Sequence, residues 1–239
     1  MNKEIEIKGG LNKNGYKYIA SIIIVFFIQG AIFFIAAWRI DIPLAWIFFG
    51  INFVYTVVSL IIQAKFNPEL VNARGEAKEA IKTWDKILMP TFIIMCGVIF
   101  GVIGLDVGRF QWSNLGIYYI YFMVAGYVLY AIFGILINWA MLENEYFEES
   151  VRIQEDRGHQ VVSTGPYKIV RHPGYLATIL WAIAVPFILG SFYGLIPAGI
   201  SIIILVIRTS LEDKTLHEEL DGYSEYAKKT KYRLFPLIW

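Results

Sequence analysis

The sequence is poor in cysteine, histidine and charge, and each shortage excludes a class of structure. Cys96 is the single cysteine among 239 residues, so neither an intrachain disulfide nor a site of several cysteine ligands can form. The 3 histidines lack the spacing of a metal site, and we expect no bound metal. The net charge of +1 gives no sign of a nucleic-acid partner, and we expect none. Residues 1–15 are polar and lack the apolar core of a signal peptide.

Charged residues make up only 17% of the chain, whereas soluble domains have about 25%. Hydrophobic residues make up 57%, and they are concentrated in six segments: Tyr18–Trp38, Ile42–Gln63, Ile87–Leu105, Leu115–Leu142, Tyr175–Leu189 and Leu195–Ile207. The first four reach or nearly reach the roughly 20 residues that cross a bilayer, and the last two are shorter. This pattern predicts a polytopic membrane protein whose main partner is the lipid bilayer.

The predicted fold class is all-α, with about six transmembrane helices in a single domain, 1–239. Four N-terminal helices occupy residues 1–142, and residues 143–239 hold the candidate catalytic region. Five residues, 190–194, separate the last two apolar segments, which predicts a tight helical hairpin whose arms Pro186 and Pro197 kink.

Basic residues alternate between loops. Of the 21 lysines and arginines, all but Arg39 and Arg109 fall in the two tails and in the second and fourth loops. With six crossings, the positive-inside rule predicts that both termini are cytoplasmic. Two stretches on that side look like surface helices: 143–157 mixes acidic with apolar residues, and 216–227 has apolar residues at helical spacing. We therefore expect helices along the membrane surface and a C-terminal helical cap.

Two charged clusters flank the predicted hairpin. Arg171 and His172 precede Pro173, a favoured first residue of a helix. Arg208 and Glu212 share one helical face past the last apolar segment. Taken separately, the first cluster is also explained as a helix start at the lipid headgroups and the second as a surface ion pair. Because a short loop makes the two arms antiparallel, we expect both clusters to meet in one polar site.

The combined motifs resemble the isoprenylcysteine carboxyl methyltransferase and phospholipid N-methyltransferase group of integral-membrane enzymes. The resemblance covers about residues 145–239. The matching residues are Gly165, Tyr167, Arg171, His172, Pro173, Tyr175, Glu212, Asp213, Leu216, Gly222, Tyr226, Arg233 and Pro236. The acidic pair is Glu-Asp where the group often has Glu-Glu, and the spacing between Gly222 and Tyr226 is shorter than in the eukaryotic enzymes.

The resemblance implies an S-adenosyl-L-methionine-dependent methyltransferase that acts on a lipophilic membrane acceptor. It implies a cofactor site formed by Tyr167, Arg171, His172, Pro173, Tyr175, Leu176, Glu212 and Asp213. We expect Glu212 to accept from the ribose hydroxyls or the amino group, and Leu176 to contact the adenine together with the tyrosines. Arg208 and Glu212 are the candidate catalytic residues: Arg208 orients a carboxylate acceptor, whereas an amine acceptor needs Glu212 or His172 as a base.

Carboxylate O-methylation is the favoured reaction, and N-methylation of a phospholipid amine is the alternative. A nicotinamide-dependent membrane reductase also stays open, since sterol-reductase-like proteins share a related C-terminal arrangement. A transporter or scaffold ranks lower, because Gln29, Asn52 and Asn138 are the main polar residues within the apolar segments and lack charged partners. The glycine-rich stretch 101–108 follows no strand, so we interpret it as a helix-packing surface and not a nucleotide loop.

Overall fold

The computed structural model describes residues 10–239, and the regular structure in this range is entirely helical. The α-helices are α1 (Lys13–Ala37), α2 (Pro43–Phe66), α3 (Pro68–Arg74), α4 (Asp85–Gly104), α5 (Tyr119–Glu143), α6 (Pro173–Leu189), α7 (Leu195–Glu219) and α8 (Tyr223–Lys229). A π-helical turn, Leu105–Phe110, extends α4, and short 3₁₀ turns lie at Gly116–Tyr118, Glu155–Arg157 and Gly165–Lys168. The all-α prediction is confirmed for the described residues.

Five of these helices are long and apolar enough to cross a membrane: α1, α2, α4, α5 and α7. Large apolar side chains face outward, with Ile35 exposed by 71% and Ile135 by 70%. Exposing so much apolar surface to water would be unfavourable, whereas contact with lipid is not. The chain is therefore an integral membrane protein. Helix α6 has 17 residues, which span about 25 Å at the helical rise of 1.5 Å per residue. Six crossings and cytoplasmic termini stay predictions, and Lys3 and Lys8 of the N-terminal tail lie outside the described residues.

The predicted hairpin is present. Helix α6 ends at Leu189, and the next residue, Gly190, has a φ of +77°, which glycine adopts without steric cost. Helix α7 begins at Leu195, five residues after Gly190. Helix α7 continues beyond the last apolar segment, which ends at Ile207, as far as Glu219, and it therefore carries Arg208 and Glu212. The reason is that Arg208 and Asp213 are buried and paired within the protein, so charge does not end the helix.

The glycine-rich stretch forms a packing surface, as predicted. A methyl group on Gly104 would collide with the backbone oxygen of Phe33, and one on Gly108 would collide with Ala37. Helices α1 and α4 therefore approach more closely here than larger residues allow.

The predicted surface helix over 143–157 is wrong. Beyond α5 the chain is irregular, with only the 3₁₀ turn near its end. Its backbone groups pair with side chains of other elements: Arg74 donates to the carbonyl of Phe147 at 2.9 Å, and Asp85 accepts from the N–H of Val151 at 2.7 Å. These bonds stabilise an extended path that covers the ends of α3 and α4.

The predicted C-terminal cap is helical but divided. Gly222 has a φ of +81° and separates the end of α7 from α8. Tyr223 and Tyr226 of α8 pack against Tyr167 and against Ala140, near the C-terminal end of α5. The cap therefore covers the end of the hairpin opposite its turn, together with the C-terminal end of α5.

Candidate active site

The segment before α6 is paired with the C-terminal tail. The N–H of Arg171 donates to the carbonyl of Tyr232 at 2.9 Å, and the N–H of His172 donates to the carbonyl of Arg233 at 2.9 Å. Pro173 is the first residue of α6, where its missing N–H has no helical partner to lose. The C-terminal tail therefore holds the backbone of Arg171 and His172 in place, and with it the position of their side chains.

Asp213 lies at the centre of the site and is fully buried. Arg171 binds it through two nitrogens, with Nε 2.7 Å from Oδ1 and Nη2 3.0 Å from Oδ2. Arg233 Nε donates to Oδ2 at 2.8 Å. The Tyr223 hydroxyl donates to Oδ1 at 2.9 Å, and His172 Nε2 lies 3.2 Å from the same oxygen. The hairpin thus brings residues 42 positions apart into one ion pair, as the sequence predicts.

The hydrogen bonds around Asp213 assign the proton of His172. A carboxylate only accepts, so His172 Nε2 carries a proton toward Oδ1. Burial raises the pKa of Tyr223, and the negative charge of Asp213 raises it further, so the phenol stays protonated and donates as well. His172 Nδ1 makes no hydrogen bond within residues 10–239 and is therefore the ring nitrogen left for a ligand.

Glu212 is held much more loosely than its neighbour. The hydroxyl of Tyr175 donates to Glu212 Oε2, whereas Oε1 makes no hydrogen bond to the described part of the chain. The side chain is part-buried. Glu212 can therefore accept from a ligand without giving up an existing partner.

Arg208 is anchored by a residue that the sequence analysis did not single out. Its Nε and Nη2 donate to the two oxygens of Asp85 at 2.6 and 3.1 Å, and Nη2 also reaches the carbonyl of Glu149. Its Nη1 has no partner in 10–239. The guanidinium also lies 5.4 Å from the ring centre of Tyr175. An acid at the start of an apolar helix was the available signal for Asp85.

These groups line a cavity of about 410 Å³. Of the predicted site residues, seven contribute to its wall: Tyr167, Arg171, His172, Pro173, Tyr175, Arg208 and Glu212. Asp213 is buried behind them. Leu176, predicted to contact the adenine, does not line the cavity; it packs against the cluster of Ile179, Leu205 and Leu234.

The cavity has a polar end and an apolar end. The irregular segment 144–164, which we call the covering loop, and the C-terminal cap complete the polar end. Their lining residues are Tyr146, Phe147, Gln154, His159, Tyr223 and Tyr226. The apolar end extends between the transmembrane helices past Ile22, Leu60, Met89, Phe92, Phe133 and Ile137. The covering loop was missed because it has no regular structure for a periodic pattern to predict.

Gly174 shows why the cavity needs a residue without a side chain at the start of α6. A methyl group there would collide with the ring of Phe147, which lines the cavity. The covering loop can therefore lie directly on the helix N-terminus.

Residues 123–218 match the model of the Isoprenylcysteine carboxyl methyltransferase (ICMT) family. This match supports assignment of the region to that family. The matched region begins within α5, earlier than the motifs indicated, and contains both arms of the hairpin with Arg171, His172, Glu212 and Asp213. Tyr223 and Arg233, which complete the shell around Asp213, follow the matched residues. No curated protein matches the chain.

Proposed function

We propose that this protein is an S-adenosyl-L-methionine-dependent methyltransferase that methylates a lipophilic acceptor in the membrane. The family match supports a membrane methyltransferase. The observation that carries the finer proposal is one cavity with a polar end of unpaired hydrogen-bonding atoms and an apolar end between membrane helices. A charged cofactor and a lipid acceptor need these two environments side by side.

The residues at the polar end fit the cofactor. Glu212 Oε1 is free to accept from a ribose hydroxyl or an ammonium group, and His172 Nδ1 is also free. Tyr167, Tyr175, Tyr223 and Tyr226 offer ring faces or edges to an adenine. Burial opposes a charge on Arg171, but its hydrogen bonds to Asp213 raise its pKa, so this ion pair stays charged and holds the site in shape.

S-adenosyl-L-methionine supplies an electrophilic methyl group when it is bound. The work of this chain is to position the acceptor and to exclude water, and orientation of this kind supplies a large part of the barrier reduction. The covering loop and the C-terminal cap enclose the polar end, while the apolar end holds the lipid chain.

Carboxylate O-methylation is the reaction that we favour. A carboxylate is already nucleophilic and needs only orientation, for which Arg208 has one unpartnered nitrogen, Nη1, in a guanidinium that Asp85 keeps fixed. N-methylation would need a base to remove a proton from the amine, and Glu212 is the residue available for it.

Binding of S-adenosylhomocysteine, the demethylated product, tests the proposal. We expect it to raise the melting temperature of the purified protein, because a ligand that binds only the native state stabilises it. His172→Ala should abolish most of that shift, and Lys214→Ala, on the exposed face of the same hairpin end, should keep it. No shift at millimolar ligand, or a shift with a nicotinamide cofactor instead, would overturn the proposal.

The products distinguish carboxylate O-methylation from amine N-methylation. Incubation with labelled S-adenosyl-L-methionine and a total lipid extract should yield a labelled lipid that releases labelled methanol in alkali, as a methyl ester does. A label that resists alkali would identify an N-methylated amine.

A further inference from the structure

The tail that follows α8 holds the site from one side. Arg171 Nη1 donates to the carbonyls of Thr230 and Lys231 at 2.9 and 2.8 Å. These bonds add to the backbone pairing of the tail with the segment before α6, and to the hydrogen bond from Arg233 to Asp213. The position of the tail therefore affects the geometry of the site.

Leu234 comes next in the tail and sets its depth in the bundle. It is fully buried and belongs to an apolar cluster with Ile179 of α6 and Leu205 of α7, against which Phe92 of α4 packs. All three neighbours come from apolar segments of the sequence. Leu205 lies less than one turn before Arg208, where the charged part of α7 begins. Leu234 therefore lies where the apolar part of the bundle meets its polar end.

The next residues form an exposed apolar turn, 235–238. Leu237 is 86% exposed and Ile238 is 80% exposed, and Phe235 is exposed as well. The N–H of Phe235 donates to the carbonyl of Trp239 at 3.1 Å, and the N–H of Trp239 donates back to Phe235 at 3.1 Å, which closes the turn. Exposed apolar side chains that lie together mark a site of contact with another protein or with the membrane.

The apolar turn continues the lipid-facing surface of the bundle. Phe92 and Ile202, which pack against the cluster of Leu234, are only partly buried, so this cluster reaches the outer surface of α4 and α7. Their sequence neighbours Ile93 and Ile203 are exposed by 54% and 60%. The membrane covers such residues, because α4 and α7 are long and apolar enough to cross it. An apolar turn beside this surface, at the level where the polar end begins, lies where side chains enter the membrane interface without crossing it.

We propose that the apolar turn inserts into the membrane interface and that this contact holds the tail against the site. Lipid is the occupant that the position favours, because the turn adjoins a surface that lipid already covers. The exposed Lys229 and Lys231 precede the turn, and cations at this level suit the phosphates of lipid headgroups. The lipid contact stands independently of the activity, whereas its effect on the cofactor site rests on the proposed function.

Spin labels in nanodiscs test the lipid contact. Cys96→Ala removes the single cysteine, and Leu237→Cys then carries one label. Ile24→Cys, exposed in the middle of α1, is the reference for lipid, and Lys228→Cys, on the exposed side of α8, is the reference for water. Oxygen is concentrated in the bilayer, whereas a nickel chelate stays in water, so their effects on relaxation report the surroundings of each label. The ratio of the oxygen effect to the nickel effect in Leu237→Cys should lie well above that of Lys228→Cys, toward that of Ile24→Cys.

Two other outcomes contradict the lipid contact. A ratio equal to that of Lys228→Cys would overturn the proposal, because the turn would then lie in water. A label in Leu237→Cys that is shielded from both reagents would also overturn it, because the turn would then be covered by protein, for example by a second copy of this chain.

Two substitutions at one position test the effect on the site. Leu237→Asp places a charge in the proposed lipid contact, whereas Leu237→Met keeps an apolar side chain of similar volume. In nanodiscs, Leu237→Asp should weaken S-adenosylhomocysteine binding by up to about tenfold, because the contact of one large apolar side chain is of that order. Leu237→Met should bind as the wild type does. Equal affinity in the two variants would overturn the link between the apolar turn and the site.

The two measurements separate this proposal from the proposed function. Wild-type protein that does not bind S-adenosylhomocysteine in nanodiscs would overturn the proposed function, while the label in Leu237→Cys would still report the lipid contact. If Leu237→Asp does not fold, Ile238→Ser takes its place, because it removes apolar area from the same turn with a smaller change.

Discussion

The two ends of the α6–α7 hairpin both bury a carboxylate, but they treat it differently. At the turn, Asp106 accepts from the backbone N–H of Ser113 at 2.8 Å, from its hydroxyl at 2.6 Å and from the hydroxyl of Ser191 at 2.5 Å. At the open end, Asp213 binds arginine, tyrosine and histidine side chains, and Glu212 beside it keeps a free oxygen. Asp106 does not line the cavity described above.

The difference separates polar groups that are paired within the protein from polar groups that remain available to a ligand. At the turn one backbone N–H and two serine hydroxyls pair both oxygens of the carboxylate, so the cluster ties the hairpin to the π-helical extension of α4. At the open end both oxygens of Asp213 are also paired, by arginine, tyrosine and histidine side chains. Two neighbouring atoms, Glu212 Oε1 and His172 Nδ1, have no hydrogen-bond partner in residues 10–239. A buried acid is therefore weak evidence of a site, and an unpaired atom facing a cavity is stronger evidence.

Asp213→Asn should have the largest effect, because it removes the negative charge that the buried Arg171 and the part-buried Arg233 share. Removing one partner of a buried ion pair costs about 3–5 kcal/mol. We expect a large fall in the melting temperature in nanodiscs and a loss of S-adenosylhomocysteine binding. A stable variant would mean that Arg171 and Arg233 are neutralised by other groups, and that Asp213 does not organise the open end.

Asp106→Asn should destabilise the protein less, and only at the turn. The amide keeps one acceptor oxygen but places an NH₂ group against a donor, and a hydrogen bond to a charged group contributes about 1.5–3 kcal/mol. The melting temperature should fall, while the affinity for S-adenosylhomocysteine in the folded state stays unchanged. A change in that affinity would couple the two ends of the hairpin and would weaken the comparison.

Glu212→Gln should show the opposite pattern from Asp106→Asn. The amide oxygen can still accept from Tyr175, so stability should change by less than about 0.5 kcal/mol, as at other sites without a special role. Loss of the charge should weaken S-adenosylhomocysteine binding about tenfold, because one charge-assisted hydrogen bond to the ligand is lost. Calorimetric titration measures the affinity. Unchanged affinity would remove Glu212 from the cofactor site.

The sequence predicted the meeting of the two clusters because that step needs only a short turn and two antiparallel helices. The six-residue run Arg208–Asp213 and the residues before Pro173 lie at the ends of the two arms, so no long-range information was needed. Asp85, Tyr223 and Arg233 close the site from other elements, and no periodicity records which side chain of a distant element will meet Arg208 or Asp213. Their positions depend on tertiary packing.

The same reasoning explains the error over 143–157. Its mixture of acidic and apolar residues resembles a surface helix, but its backbone groups pair with Arg74 and Asp85, which come from helices far away in the sequence. Asn138 was visible in the sequence only as a polar residue within an apolar segment. Its hydrogen bonds with Ser59 and Gln63 of α2 depend on how α2 and α5 pack, which the sequence pattern does not record.

The smallest expected effect concerns His159, which lines the polar end of the cavity and has no counterpart at the turn. Burial, and after it the positive charge of Arg157, lower its pKa from the usual 6.5 to about 4. Between these two values the unfolded chain binds a proton that the folded chain does not, so stability falls as the pH falls through this window. Melting temperatures measured from pH 7 to pH 4 should decline less in His159→Gln than in the wild type. Equal declines would mean that the folded protein does not lower the pKa of His159, and that the polar end of the cavity does not disfavour its charged form.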